Sequence, residues 1–305
     1  MKRTEAEILR RNFPAETLSF NEPASKHTSF KTGGNIAAVF LPRGAEDIKA
    51  AVDIAEDCGF PWYVSGYGSN LLISDAGFGG LLIKIAQNIG NMTVNENKGE
   101  IVTGAGQALP RLSRLARDNG LSGLEFACGI PGSVGGAVFM NAGACGGEIK
   151  DVVLEARVLQ KDGKIEVLRT SALGFGYRRS ILSESGGLVL AARFALKKAD
   201  KDDISRRMED FSKKREETQP MDKPSAGSAF KRAGDTPAAM LIDKAGLKGL
   251  RFGGAAVSEK HAGFIVNDSN ASAADIYALM AEVKKRVADR FGVELEPEVR
   301  FLGKF

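Results

Sequence analysis

Residues 122–148, SGLEFACGIPGSVGGAVFMNAGACGGE, constrain what this chain can fold into more than any other stretch. Eight of them are glycine: Gly123, Gly129, Gly132, Gly135, Gly136, Gly143, Gly146 and Gly147. A flexible linker would be rich in serine and other polar residues. Here Leu124, Phe126, Ile130, Val134, Val138, Phe139 and Met140 stand between the glycines, so the run is expected to be buried. Glycine in a buried run lets backbone approach another surface closely, with N–H groups free to face it. Two readings fit the spacing: a cradle for a phosphate or flat cofactor, or a tightly packed crossing between two sheets. No Walker-type lysine decides between them.

The chain of 305 residues is long enough for two or three domains. Its 36 glycines make about 12% of the residues, against a typical ~7%. A net charge of +4 with no long basic run argues against nucleic acid but would not repel an anionic nucleotide. Cys58, Cys128 and Cys145 are too few and too scattered for a disulfide framework. With only His27 and His261 and no Cys-x-x-Cys pair, no metal site is expected. The start, MKRTEAEILRRNF, lacks the apolar core of a signal peptide, and no run approaches ~18 apolar residues. The expected location is cytoplasmic, with no membrane or obligatory protein partner.

In order, the pattern predicts a short helix at 4–12, a strand at 37–41, a helix at 45–57, a strand at 62–64, and strands at 71–74 and 81–85. The loop SGYGSN (65–70) follows a strand directly, where α/β folds bind ligands. It is not the dinucleotide fingerprint, because Leu71 stands where the third glycine belongs. Strands at 94–96 and 101–103, a helix at 109–119, and a hairpin about Asp162-Gly163 predict a strand-rich second lobe ending in a strand at 188–196. The charged segment 199–217 has Ile204, Met208 and Phe211 at helical spacing and opens a third unit. That unit holds a helix at 238–244, short strands at 255–257 and 263–266, and a long helix at 272–291 capped by Ser272 and stopped by Gly292. The tail VELEPEVRFLG reads as one extended strand, with Pro297 restricting it to an edge.

Five separated motifs in order, SGYGSNLL, CGIPGSVGGAVFMNAGACGGEI, FGYRRS, PSAGSAFKR and EPEVRF, resemble the UDP-N-acetylenolpyruvoylglucosamine reductase family from about His27 to Leu302. The resemblance implies an α+β protein. A two-lobed FAD-binding domain of the PCMH (vanillyl-alcohol-oxidase) type would cover 33–197, with lobes at about 33–90 and 91–197. An N-terminal segment (1–32) would precede it. A smaller α+β substrate-binding domain would span 206–292, and a terminal strand (293–305) would return to the flavin. Only ILSESGG separates Ser180 from Leu188, which is similar to the shorter branch lacking a tyrosine lid.

The implied activity is NADPH-dependent reduction of UDP-N-acetylenolpyruvoylglucosamine through noncovalent FAD. It serves peptidoglycan synthesis and, with it, cell shape and division. The implied catalytic residues are Arg178, gripping the substrate carboxylate; Ser228, giving a proton; and Glu298, beside the enolised carboxylate. The implied cofactor residues are Gly66, Tyr67, Gly68, Ser69 and Asn70; Gly104, Ala105 and Gly106; and Ile130, Pro131, Gly132, Ser133, Gly135, Gly136, Ala137 and Asn141. Tyr67 departs from the family's small residue, and a bulky side chain tolerates positive φ poorly. Lys231, Arg232, Lys244 and His261 stand as candidates for the uridine diphosphate, with no choice among them. An oxidase of the same fold is the alternative; such oxidases often tether FAD through His, Cys or Tyr, and His27 and the cysteines match no such motif. A non-catalytic flavin or nucleotide module would be expected to lack Arg178, Ser228 or Glu298.

Overall fold

The structure, a computed structural model, describes residues 1–305, the side chain of Gln87 excepted. Its eight helices are α1 (Arg3–Asn12), α2 (Ala45–Asp57), α3 (Leu109–Asp118), α4 (Val134–Phe139), α5 (Leu182–Ser185), α6 (Lys201–Thr218), α7 (Ala238–Lys244) and α8 (Ala273–Phe291). Among the described residues no helix is long and apolar enough to cross a membrane.

Three sheets carry the architecture, which is α+β. In the first, Leu18–Pro23 pairs antiparallel with Asn35–Phe40, and Phe78–Lys84 then lies parallel to both Asn35–Phe40 and Trp62–Ser65. The second is wholly antiparallel, in the order Ile165–Arg169, Val153–Leu159, Leu188–Ala195, Glu100–Gly104, Met92–Asn95. The third joins Ser225–Ser228, Phe264–Asn267, Ala255–Val257 and Arg251–Phe252. Behind it lies α8, whose stripe Ile276, Leu279, Met280, Val283 and Val287 is buried, as the 3.6-residue spacing predicts.

The strand Leu18–Pro23 escapes the sequence reading, although Leu18 and Phe20 alternate with Ser19 and Asn21. So does α4: with Gly135 and Gly136 in its first turn its helix propensity is poor. Ser133 offsets this by accepting from the N–H of Gly136 at 3.2 Å, an N-cap. The tail differs too. Only Arg300–Leu302 is strand, because Pro297 has no N–H to donate to a ladder.

Two contacts lock the third sheet's unit onto the first. The Asp75 carboxylate accepts from the N–H groups of Ala273 and Ala274, both at 2.8 Å, at the positive end of α8. Arg300–Leu302 pairs in parallel with Leu71–Ile73, directly after the loop 65–70. Phe30 and Leu72 from the first unit are buried in the core beneath α8.

Candidate active site

The glycine loops pack on each other before they face anything else. A Cβ on Gly66 would stand 2.3 Å from Ser133 Oγ, and one on Gly135 would stand 2.9 Å from the Ala105 methyl. The N–H groups of Val134 and Gly135 donate to the carbonyls of Gln107 and Ala105, each at 2.8 Å. Among the described residues, those of Tyr67, Gly68, Ser69 and Asn70 have no acceptor within the chain. They border a cavity of about 540 Å³, large enough for a cofactor. Four consecutive unpaired amides beside a cavity form a site for an anion. The positive φ of this loop falls on Gly68, at 67°, and not on Tyr67. The Tyr67 hydroxyl instead donates to Gly106 O at 3.1 Å, so the bulky residue fits without strain.

Of the residues named from the resemblance, Gly66–Asn70, Ala105, Ile130–Ser133 and Gly135–Ala137 line this cavity. Gly104, Gly106 and Asn141 do not. A Cβ on Gly104 would lie 2.2 Å from Ile89 O, and one on Gly106 1.7 Å from Ala86 O, so these glycines admit the segment 86–90. Asn141 is fully buried with φ 44°, and both ends of its amide are engaged. It donates to Glu148 and to Gly176 O at 3.0 Å and accepts from Lys150 N at 3.0 Å.

Arg178, Ser228 and Glu298 come from three distant parts of the chain to one wall of the cavity. Arg178 occupies a tight turn closed by the pairing of Gly176 with Arg179, and its φ of 54° is costly for a residue with a Cβ. That turn aims the guanidinium inward: Nη2 donates to Gly143 O at 2.9 Å, and Nε stands 3.0 Å from Glu298 Oε1. Arg179 points outward, toward Glu184 at 4.0 Å. Glu298 is held beside Ser228 by backbone, since its N–H donates to Ala229 O at 2.9 Å. Asn70 ties the same segment to the loop, donating to Glu298 O at 3.0 Å and accepting from Arg300 N at 3.0 Å. Burial pushes the Glu298 carboxyl up and outweighs the opposing pull of Arg178 and Lys231. Glu294 and Glu296 are exposed and pair with Lys284 and Lys231.

None of Lys231, Arg232, Lys244 and His261 lines the cavity. Arg232 donates to Asp235 O at 2.8 Å, and His261 accepts from Gly263 N at 3.1 Å. The cavity's other cations are Arg215, Arg300 and Lys161. Arg215 comes from the last turn of α6 and lies against Gly129, where a Cβ would stand 3.0 Å from its Cδ. Among the described residues its buried Nε, like the buried Oε1 of Gln219 one turn later, has no partner. Nothing in the many charges of 199–217 singles out Arg215, and Gln219 lies just beyond that run with no charge to mark it. Arg300 was legible: in an extended chain it falls on the same side as Glu298.

The Ser122–Glu125 turn docks α6 onto the glycine-rich centre. The Glu125 carboxylate is 8% exposed and accepts from Ser122 Oγ at 2.8 Å, Gly123 N at 2.7 Å and Arg207 Nη2 at 2.6 Å. Burial acts to raise the Glu125 carboxyl; Arg207, Ser122 and the backbone donors together outweigh it, holding it below the ordinary glutamate range.

Comparison with known proteins gives two family matches. Residues 36–169 match the FAD binding domain family, and residues 219–302 match the C-terminal domain of UDP-N-acetylenolpyruvoylglucosamine reductase. The chain is 45% identical to the UDP-N-acetylenolpyruvoylglucosamine reductase of Lachnoclostridium phytofermentans, covering 95% of this chain and 94% of that one. It is 44% identical to the reductase of Agathobacter rectalis, covering both chains in full. The crystal structure of UDP-N-acetylenolpyruvylglucosamine reductase from Thermus caldophilus aligns at 38% identity and a TM-score of 0.79, over 94% of this chain and 98% of that one. Alkyldihydroxyacetonephosphate synthase, at 16% identity and a TM-score of 0.50 over 65% of this chain and 41% of its own, shares the fold alone.

Proposed function

Since the chain belongs to the UDP-N-acetylenolpyruvoylglucosamine reductase family, we propose that it reduces the enolpyruvyl group of that sugar nucleotide with NADPH in the cytoplasm, as a step of peptidoglycan precursor synthesis. Residues 33–197 act as the cofactor unit, 206–292 as the substrate unit, and the tail from 293 closes the site between them. The observation that carries this reading is the Arg178–Glu298 pair at 3.0 Å, with Ser228 beside it, on the wall of a cavity bordered by unpaired loop amides.

The glycine cradle fits FAD: Cβ atoms at Gly66 and Gly135 would push its loops apart at Ser133 and Ala105, and the amides of 67–70 suit a pyrophosphate. Bound there, FAD would supply the hydride, taken from NADPH, that the enolpyruvyl methylene carbon receives. The chain's own residues make that carbon receptive. Arg178 holds the substrate carboxylate and stabilises the negative charge that spreads onto it. Glu298, whose carboxyl burial pushes up, would donate a hydrogen bond to the enolised oxygen when it carries its proton. Ser228 Oγ gives its proton to the adjacent carbon, completing the lactyl group, and is reprotonated by water at its exposed face. Arg215 and Arg300 supply donors for the two substrate phosphates.

Rapid-mixing absorbance of Ser228→Ala tests this. Flavin reduction by NADPH is expected to persist, while reoxidation by the enolpyruvyl sugar nucleotide slows by about 10²–10⁴-fold, the range for general acid catalysis. Equal loss of both half-reactions would reject Ser228 as the proton donor.

A further inference from the structure

The turn that carries Arg178 is strained, and something outside it must hold it. With φ at 54° the Arg178 backbone lies in the left-handed region, which a side chain with a Cβ enters only under restraint. Three tethers reach the turn, and all end in the short segment 139–143 that follows α4. On one side, Asn141 Nδ2 donates to Gly176 O at 3.0 Å. On the other, the buried Ser180 Oγ donates to Phe139 O at 2.7 Å. Between them, Arg178 Nη2 itself donates to Gly143 O at 2.9 Å.

Asn141 is the tether whose residue type asks for an explanation. It is fully buried, and its amide is fixed from behind: Nδ2 also donates to Glu148 Oε2 at 3.0 Å, and Oδ1 accepts from Lys150 N at 3.0 Å. Its φ of 44° ends α4 in the left-handed region, where glycine would serve at least as well. The backbone therefore does not require an amide here. What requires one is the carbonyl of Gly176, two residues before Arg178, which receives a donor whose direction is set by Glu148 and Lys150.

We propose that Asn141 is a positioning residue for Arg178: through the Gly176 carbonyl it holds the strained turn in the one conformation that aims the guanidinium at the substrate carboxylate, and it takes no part in binding the cofactor. The inference rests on the reduction reading above, in which Arg178 grips that carboxylate. A planar guanidinium meets a carboxylate bidentately only when the two planes are aligned, so a turn free to relax its φ loses the grip before it loses the fold.

The test is Asn141→Gly, which keeps the left-handed backbone and deletes the amide, followed by rapid-mixing absorbance of the FAD-loaded protein. FAD affinity and flavin reduction by NADPH should stay close to wild type. Reoxidation by the enolpyruvyl sugar nucleotide should slow by about 10- to 10²-fold, the scale of a misplaced catalytic group. A double-mutant cycle separates positioning from general loosening: in an Arg178→Ala background, Asn141→Gly should slow reoxidation no further, because the group it acts through is gone. Ser180→Ala, which cuts the other tether, should show the same selective loss and the same cycle, and it carries the test if circular dichroism finds Asn141→Gly unfolded. Wild-type reoxidation in the variant overturns the proposal, as does a loss of FAD affinity in step with reoxidation, or a full further loss in the Arg178→Ala background. Wild-type FAD-loaded protein that the sugar nucleotide fails to reoxidise would instead overturn the reduction reading beneath it.

Discussion

Gly66→Ala tests whether the two glycine loops must touch for the cofactor to bind. Gly66 does not carry a positive φ, so alanine is conformationally allowed and only space is at issue. The new methyl would lie 2.3 Å from Ser133 Oγ and 3.0 Å from Ser133 Cβ. The hydroxyl can rotate away, but it then gives up the cap on Gly136, a loss of about 1 kcal/mol. The residual Cβ–Cβ contact adds up to about 1 kcal/mol of overpacking. Both terms act on the bound geometry of the loops, so together they amount to about 1–2 kcal/mol. That corresponds to a rise of about 5- to 30-fold in the FAD dissociation constant at 1.4 kcal/mol per tenfold. The assay is FAD titration of stripped protein with circular dichroism as a check on folding. Ser133→Gly removes the obstructing atoms, so the double variant should bind no worse than Ser133→Gly alone. Unchanged FAD affinity in Gly66→Ala would refute the reasoning, as would additive losses in the double variant.

Two further outcomes are expected. Glu125→Gln should destabilise the fold by about 1–2 kcal/mol at pH 7 by thermal or denaturant unfolding, the lower part of the range for bonds to charged groups because Arg207 is 45% exposed. The Glu125 carboxyl is held below its unfolded-state value, so its contribution is present above that value and is lost as pH falls through the folded one; the gap between variant and wild type must therefore close in acid. Asp75→Ala should lower stability by about 1 kcal/mol by uncapping α8, and a melting temperature equal to wild type would show that Ser272 alone satisfies that helix end.

Much of the site was legible because its residues come in short local patterns. Gly-Tyr-Arg-Arg-Ser puts one arginine inward and one outward, Glu-Pro-Glu-Val-Arg puts Glu298 and Arg300 on the cavity and Glu296 outside, and the fold brings Arg178 and Glu298 to 3.0 Å from 120 positions apart. Glycine was ambiguous in a way that spacing could not resolve. Gly66 and Gly135 face a cavity with a neighbouring loop at their backs, whereas Gly104 and Gly106 only admit the backbone of 86–90. Both uses leave the same letter. The helix α4 was hidden because its cap and packing overrule the propensity of Gly135 and Gly136. Arg215 was hidden because a helix with many charges says nothing about which of them turns inward, and Gln219 because it is an uncharged residue just past that helix.

The link from Asn70 to the carbonyl of Glu298 spans 228 residues. A ribosome adding about 5–20 residues per second needs roughly 10–50 s to make the second partner after the first. During that interval the nascent loop 65–70 exists without the segment that fastens it, and Leu72 lacks the core that will cover it. The fastening of this loop thus falls late in the life of the growing polypeptide, and premature termination anywhere before Glu298 yields a chain in which it is never made.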